Sequence, residues 1–119
     1  MASGDEPRPY VSFEDVTNKI TLNSDKGTVS QYTAIKTGAL VSISFVFTPT
    51  QSLSSGESVV FNGTYSEARL KPCQRSQIGG CNVNLISVYL ANVTGNYEVT
   101  MIANRSAAFW LHFIYMCND

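Results

Sequence analysis

The chain is expected to fold as a single all-β domain, an antiparallel β-sandwich or jelly-roll-like β-barrel of about seven or eight strands. Three observations predict this. Apolar residues recur with a period of two, the segments carrying that period are short, and turn-forming residues separate them with no strand–helix alternation. A length of 119 residues suits one domain with one core.

Taken in order, residues 1–17 read as a flexible leader or linker with room for a short first element, and residues 18–119 as the domain proper. The start, Met1-Ala2-Ser3-Gly4-Asp5-Glu6, is polar and acidic and reads as no signal peptide. Lys19–Leu22 and Val29–Lys36 are the first strand candidates, both rich in β-branched residues. Thr37-Gly38 then suggests a hairpin into Val41–Phe47, where Val41, Ile43, Phe45 and Phe47 alternate with Ser42, Ser44 and Val46. Thr48-Pro49-Thr50 and Ser54-Ser55-Gly56 bracket a longer connection to Ser58–Phe61, and the longest loop runs from Lys71-Pro72 to Gly80. Val83–Leu90 follows, and the turn at Asn92–Asn96, with Gly95 available for positive φ, leads into Tyr97–Ala103. Ala107–Met116 is the last strand. Phe13–Lys19 and Ser66–Leu70 alone have helical flavour.

Two strands are apolar on both faces. In the last, Phe109, Leu111, Phe113 and Tyr115 oppose Trp110, Ile114 and Met116; in Val83–Leu90, Val83, Leu85 and Tyr89 oppose Ile86, Val88 and Leu90. One face meets the core, so the second needs a covering loop or another subunit. Ile86, Val88, Trp110 and Ile114 are the candidate subunit interface, and a trimer would bury them.

Composition narrows the function. Charged residues make up 14% of the chain and the formal net charge is −1, against the ~25% charged residues of typical soluble domains. Lys19, Lys26, Lys36, Arg69, Lys71, Arg75 and Arg105 are scattered rather than striped, which excludes a nucleic-acid footprint. The longest apolar run, Ala107–Met116, is interrupted by His112 and is about half of what a spanning helix needs, so membrane insertion is not expected. A surface rich in Ser, Thr and Asn suits neutral, hydroxyl-bearing ligands.

With three cysteines in all, Cys73, Cys81 and Cys117 read first as free thiols of a reducing cytoplasm; the alternative is that Cys73 and Cys81, which flank a turn-prone segment, close a small loop disulfide. Cysteine spacing and a single histidine do not suit zinc, and no metal or cofactor is expected. Three N-x-S/T sequons, at Asn62, Asn92 and Asn104, are discounted as chance in so Asn- and Thr-rich a chain.

No phosphate loop, nucleophile elbow or carboxylate pair suggests an enzyme. His112, within an apolar strand, reads as a packed residue rather than a general base. Trp110 and His112 are two residues apart and face the same way. With a hydroxyl or guanidinium nearby, from Tyr89 or Arg105, they could grip a sugar, the indole stacking on its apolar face. The alternative is that Trp110 fills an inter-subunit contact.

The run Ile20-Thr21-Leu22-Asn23, then Gln31-Tyr32 through Gly38 to Val41 and Phe45, then Leu53-Ser54-Ser55-Gly56-Glu57, is similar to the C-terminal head domains of tail-fibre and baseplate receptor-binding proteins from phages of Gram-positive bacteria. Thr94-Gly95-Asn96 resembles the tip of a later hairpin in such heads, and Phe109–Tyr115 their aromatic terminal strand. The likeness covers about residues 18–117 and departs from the pattern at Cys73–Cys81. It implies a homotrimer at the virion tip, made in the bacterial host cytoplasm, that adsorbs to a host cell-wall saccharide in a cleft between protomers. Two other readings stand beside it: a structural virion fibre or decoration domain without ligand, and a monomeric Ig-like cell-surface adhesion module.

Overall fold

A computed structural model of the chain describes residues 13–74, 80–81, 86–91 and 93–118, the stretch 86–91 by its backbone. Among these residues nine strands form two antiparallel sheets: β1 (Phe13–Asp15), β2 (Ile20–Asn23), β3 (Gly27–Thr37), β4 (Leu40–Pro49), β5 (Ser58–Tyr65), β6 (Gly80–Cys81), β7 (Ile86–Ala91), β8 (Asn96–Met101) and β9 (Phe109–Met116). The order is β1-β3-β4-β9-β6 in the larger sheet and β2-β5-β8-β7 in the smaller. The architecture is a β-sandwich, as the period-two pattern predicts.

The alternation in β4 and β9 works as expected. Val41, Ile43, Phe45 and Phe47, with Phe109, Leu111, Phe113 and Tyr115, are buried between the sheets. From the smaller sheet Val59, Phe61, Tyr97, Val99 and Met101 meet them. Phe61 of β5 sits between Phe45, Phe47 and Phe113 at centroid distances of 5.3, 5.0 and 5.7 Å, each edge-on. Tyr97 of β8 stacks on Phe113 at 5.2 Å. Such pairs add roughly 0.5–1.5 kcal/mol each beyond their buried area, so this aromatic seam is what joins the two sheets.

Turn chemistry sets the register. Gly38, at φ 60°, opens the two-residue turn that pairs Thr37 with Leu40, a conformation that favours glycine. Between Ser30 and Thr33 the β3–β4 ladder slips, so Gln31 and Tyr32 together oppose Phe45. Gln31 takes φ 51°. This bulge brings the Tyr32 ring to within 6.4 Å of Phe45.

The short first element for which residues 1–17 leave room is β1, which pairs with β3; after it Val16 is fully buried, its N–H donating to Ala34 O at 2.9 Å. Two expectations change. The two-residue strand β6, too short to show a period, forms the edge beside β9. Phe13–Lys19 is strand and turn rather than helix, while Ser66–Leu70 does contain a 3-10 turn at Ala68–Leu70. Residues 82–85 of the expected strand Val83–Leu90 lie outside the described residues, as do Asn92 and most of the loop between Lys71 and Gly80.

An ion-pair ring ties β1 to the segment after β5. Arg69 grips Glu14 with both terminal nitrogens, at 3.1 and 2.8 Å, and its Nε donates to Glu67 at 2.5 Å. Lys19 closes the ring, 3.1 Å from Glu14 and 2.9 Å from Glu67. Hydrogen bonds from Arg69 and then Lys19 hold the Glu14 carboxyl down at about 2.

Candidate functional site

Because side chains alternate along β9, burying Phe109, Leu111, Phe113 and Tyr115 forces Trp110, His112, Ile114 and Met116 onto the outer face of the larger sheet. Register then arranges this face in rows. One row runs Phe13, Thr37, Leu40, Met116 across β1, β3, β4 and β9. The next runs Asp15, Ile35, Ser42, Ile114; the third runs Thr33, Ser44, His112, Gly80; the last joins Ser30, Val46 and Trp110. One end of the face is thus apolar, and the other carries hydroxyls, an imidazole and an indole.

At that second end an open groove of about 440 Å³ is lined by Ser44, Gly80, Cys81, Trp110, Leu111 and His112. Trp110 is 41% exposed, so its ring has surface to offer a ligand. His112 is half-buried, and its Nε2 lies 2.8 Å from the Ser42 hydroxyl. That contact fixes the ring plane, and among the described residues no partner engages Nδ1. Among the described residues, nothing lies within 4 Å of a side chain placed at Gly80. Chemically it offers one flat apolar ring beside a fixed imidazole and hydroxyls, a combination that can stack on a sugar's C–H face while exchanging hydrogen bonds with its hydroxyls.

The expected companions do not gather there. Tyr89 lies on β7 in the other sheet, its backbone opposite Val99. Arg105 turns back on its own loop: Nε donates to Ala107 O at 3.1 Å and Nη2 to Ala108 O at 2.9 Å, while its backbone bridges Leu53. It clamps the β8–β9 connection. The expected interface set is also divided. Trp110 and Ile114 share the outer face of the larger sheet, whereas Ile86 and Val88 belong to β7, on either side of a register shift. Ser42 and Ser44 were missed as site residues, although they are the polar phase of the clearest alternating strand.

Cys73, Cys81 and Cys117 are free thiols. The Cys73 N–H donates to Met116 O at 2.9 Å, while Cys81 sits opposite Leu111. Five positions along a strand separate these sites, about 16 Å, well beyond the ~7 Å that a disulfide spans between Cα atoms. The loop bridge that the spacing of Cys73 and Cys81 allows is therefore not formed. Cys81 instead contributes to the groove.

Among the described residues, no three His, Cys, Asp or Glu side chains gather as a metal site, and no helix is long and apolar enough to cross a membrane. No protein-family model matches the chain, and no curated protein matches it.

Proposed function

We propose that the chain is a non-enzymatic recognition domain, a receptor-binding head of the phage tail-fibre or baseplate type that adsorbs to a host cell-surface saccharide as a homotrimer at the virion tip. The observation carrying this reading is the pairing of Trp110 and His112 along one open groove, the imidazole held by Ser42. The low charge of the chain favours a neutral ligand over a polyanion, and three weak sites on one assembly would give avidity without strong single contacts.

The apolar row Phe13, Leu40 and Met116, with Ile114 beside it, supports self-association through the same sheet face. Phe13 is 79% exposed, Leu40 46% and Met116 44%; large apolar side chains exposed together on one face mark interfaces more often than free solvent. That same row favours a second reading, a structural virion domain that trimerises and holds no ligand. A monomeric adhesion module fits least well with so apolar an outer face.

Trp110→Ala separates the readings. The saccharide-binding head predicts loss of whole-cell and glycan-array binding, with the thermal midpoint and the solution mass by light scattering unchanged. Retained binding, or a variant that turns insoluble or monomeric, assigns Trp110 to packing and overturns the groove reading.

A further inference from the structure

The outer face of the smaller sheet holds a second arrangement. Register places Asn23 of β2 opposite Asn62 of β5, and Asn62 opposite Asn96 of β8. Three primary amides therefore lie in one line across three adjacent strands, about 4.8 Å apart per step. Asn23 and Asn62 are exposed and Asn96 is half-buried. Among the described residues, no side-chain hydrogen bond engages any of the three amides. A Thr21–Thr64 pair flanks the row on one side.

On the other side the row opens into a hollow of about 250 Å³, which Asn62 lines together with Ser24, Asp25, Lys26, Ser58 and Val60. The Lys26 ammonium is already neutralised there, 2.6 Å from a Glu57 carboxylate oxygen and 2.9 Å from Ser58 O. The Ser58 hydroxyl is itself turned onto Glu98. Val60, 41% exposed, is the apolar patch in an otherwise polar wall.

We infer that this amide row and its hollow form a second ligand site, for a neutral polyhydroxylated chain such as a hexose oligomer. Each amide offers both a carbonyl acceptor and an NH₂ donor, which matches hydroxyls that also do both. Asp25 adds an acceptor, and Val60 gives a sugar's C–H face something to rest on. The compensated Lys26 and the open Asp25 carboxylate make the hollow a poor place for phosphate or another anion. Too little apolar surface is present for a protein partner to bury a core against. The site is on the opposite face of the sandwich from the Trp110 groove and does not depend on that groove's reading.

Asparagine NH₂ groups and the tryptophan indole N–H give separate signals in the nitrogen–proton correlation spectrum of the ¹⁵N-labelled full chain. Titration with cellohexaose, maltohexaose and laminarihexaose tests both sites together. The expected result is a saturable shift of the Asn23, Asn62 and Asn96 side-chain signals with at least one oligomer. The Asn62→Ala/Asn96→Ala variant, its spectrum still dispersed as in the parent, should bind that oligomer at least five-fold more weakly. If the three amides stay unmoved by all three oligomers to about 10 mM, well above a millimolar dissociation constant, the inference is overturned. A shift confined to the Trp110 indole also overturns it while leaving the groove reading in place. Shifts at the amides with a silent indole do the reverse.

Discussion

Removing the Tyr32 hydroxyl should make the protein more stable. The bulge at Gln31–Tyr32 swings this ring inward, and its hydroxyl is the one buried side-chain polar atom among the described residues that finds no hydrogen-bond partner. Burial of this kind pushes the phenol well above its ordinary value of 10.0. An unpaired buried hydroxyl costs about 1–3 kcal/mol in lost hydration. Tyr32→Phe removes that cost and leaves a void of a single oxygen, so a net gain of about 1 kcal/mol is expected, worth roughly 3–6 °C in a domain of this size. Tyr115→Phe is the matched control. Its hydroxyl donates to Leu70 O at 2.6 Å in the buried core, so the same chemical change there should cost about 1–3 kcal/mol by stranding the carbonyl. Urea unfolding of both variants at neutral pH, with the slope unchanged, measures the pair. Opposite signs support the argument. A Tyr32→Phe variant destabilised by 1 kcal/mol or more would refute it, because the hydroxyl would then have a partner, such as an internal water.

Other outcomes follow from the same contacts. Burial raises the phenols of Tyr32, Tyr65, Tyr97 and Tyr115, Tyr65 to about 12. Their contribution is intact below the unfolded value of about 10 and is lost as pH rises from there through the folded values, so unfolding free energy measured from pH 8 to 11.5 should fall steeply above pH 10. Glu14 titrates the other way. Its carboxyl is depressed from 4.5 to about 2, so its contribution is present above pH 4.5 and disappears as pH falls towards 2; Arg69→Met should flatten that part of the stability profile. Thiol titration should find Cys73 reacting first, Cys81 more slowly and Cys117, which is buried, only on unfolding. All three should be countable under denaturing, non-reducing conditions.

Much of the architecture was legible in single segments. The alternation of Val41, Ile43, Phe45 and Phe47 with Ser42 and Ser44 names a strand and its buried face, because a two-residue period admits one solution once a core exists. In β9 the same logic put Trp110, His112 and Ile114 on one face, but with both faces apolar only the packing beneath the strand turned that face outward. β6 was not legible, and β1 only as room for a short first element: with two and three residues they carry no period, and what makes them strands is the neighbour already in place, β9 for one and β3 for the other. Arg105 could not be placed either, since its fate depends on a loop that folds its guanidinium back onto Ala107 and Ala108.

Sequence by itself thus determined the class, the alternating sets of β4, β8 and β9, and the residue types available to a ligand. Which outward residues become neighbours was decided only by tertiary structure. Asn23, Asn62 and Asn96 are far apart in the chain, as are Ser42 and His112, and nothing local brings them together. Strand order and register do, set by turns such as that at Gly38 together with the packing of Phe61, Phe113 and Tyr97 between the sheets. Side-chain period is a property of one strand; a surface row is a property of several, fixed by the core beneath it.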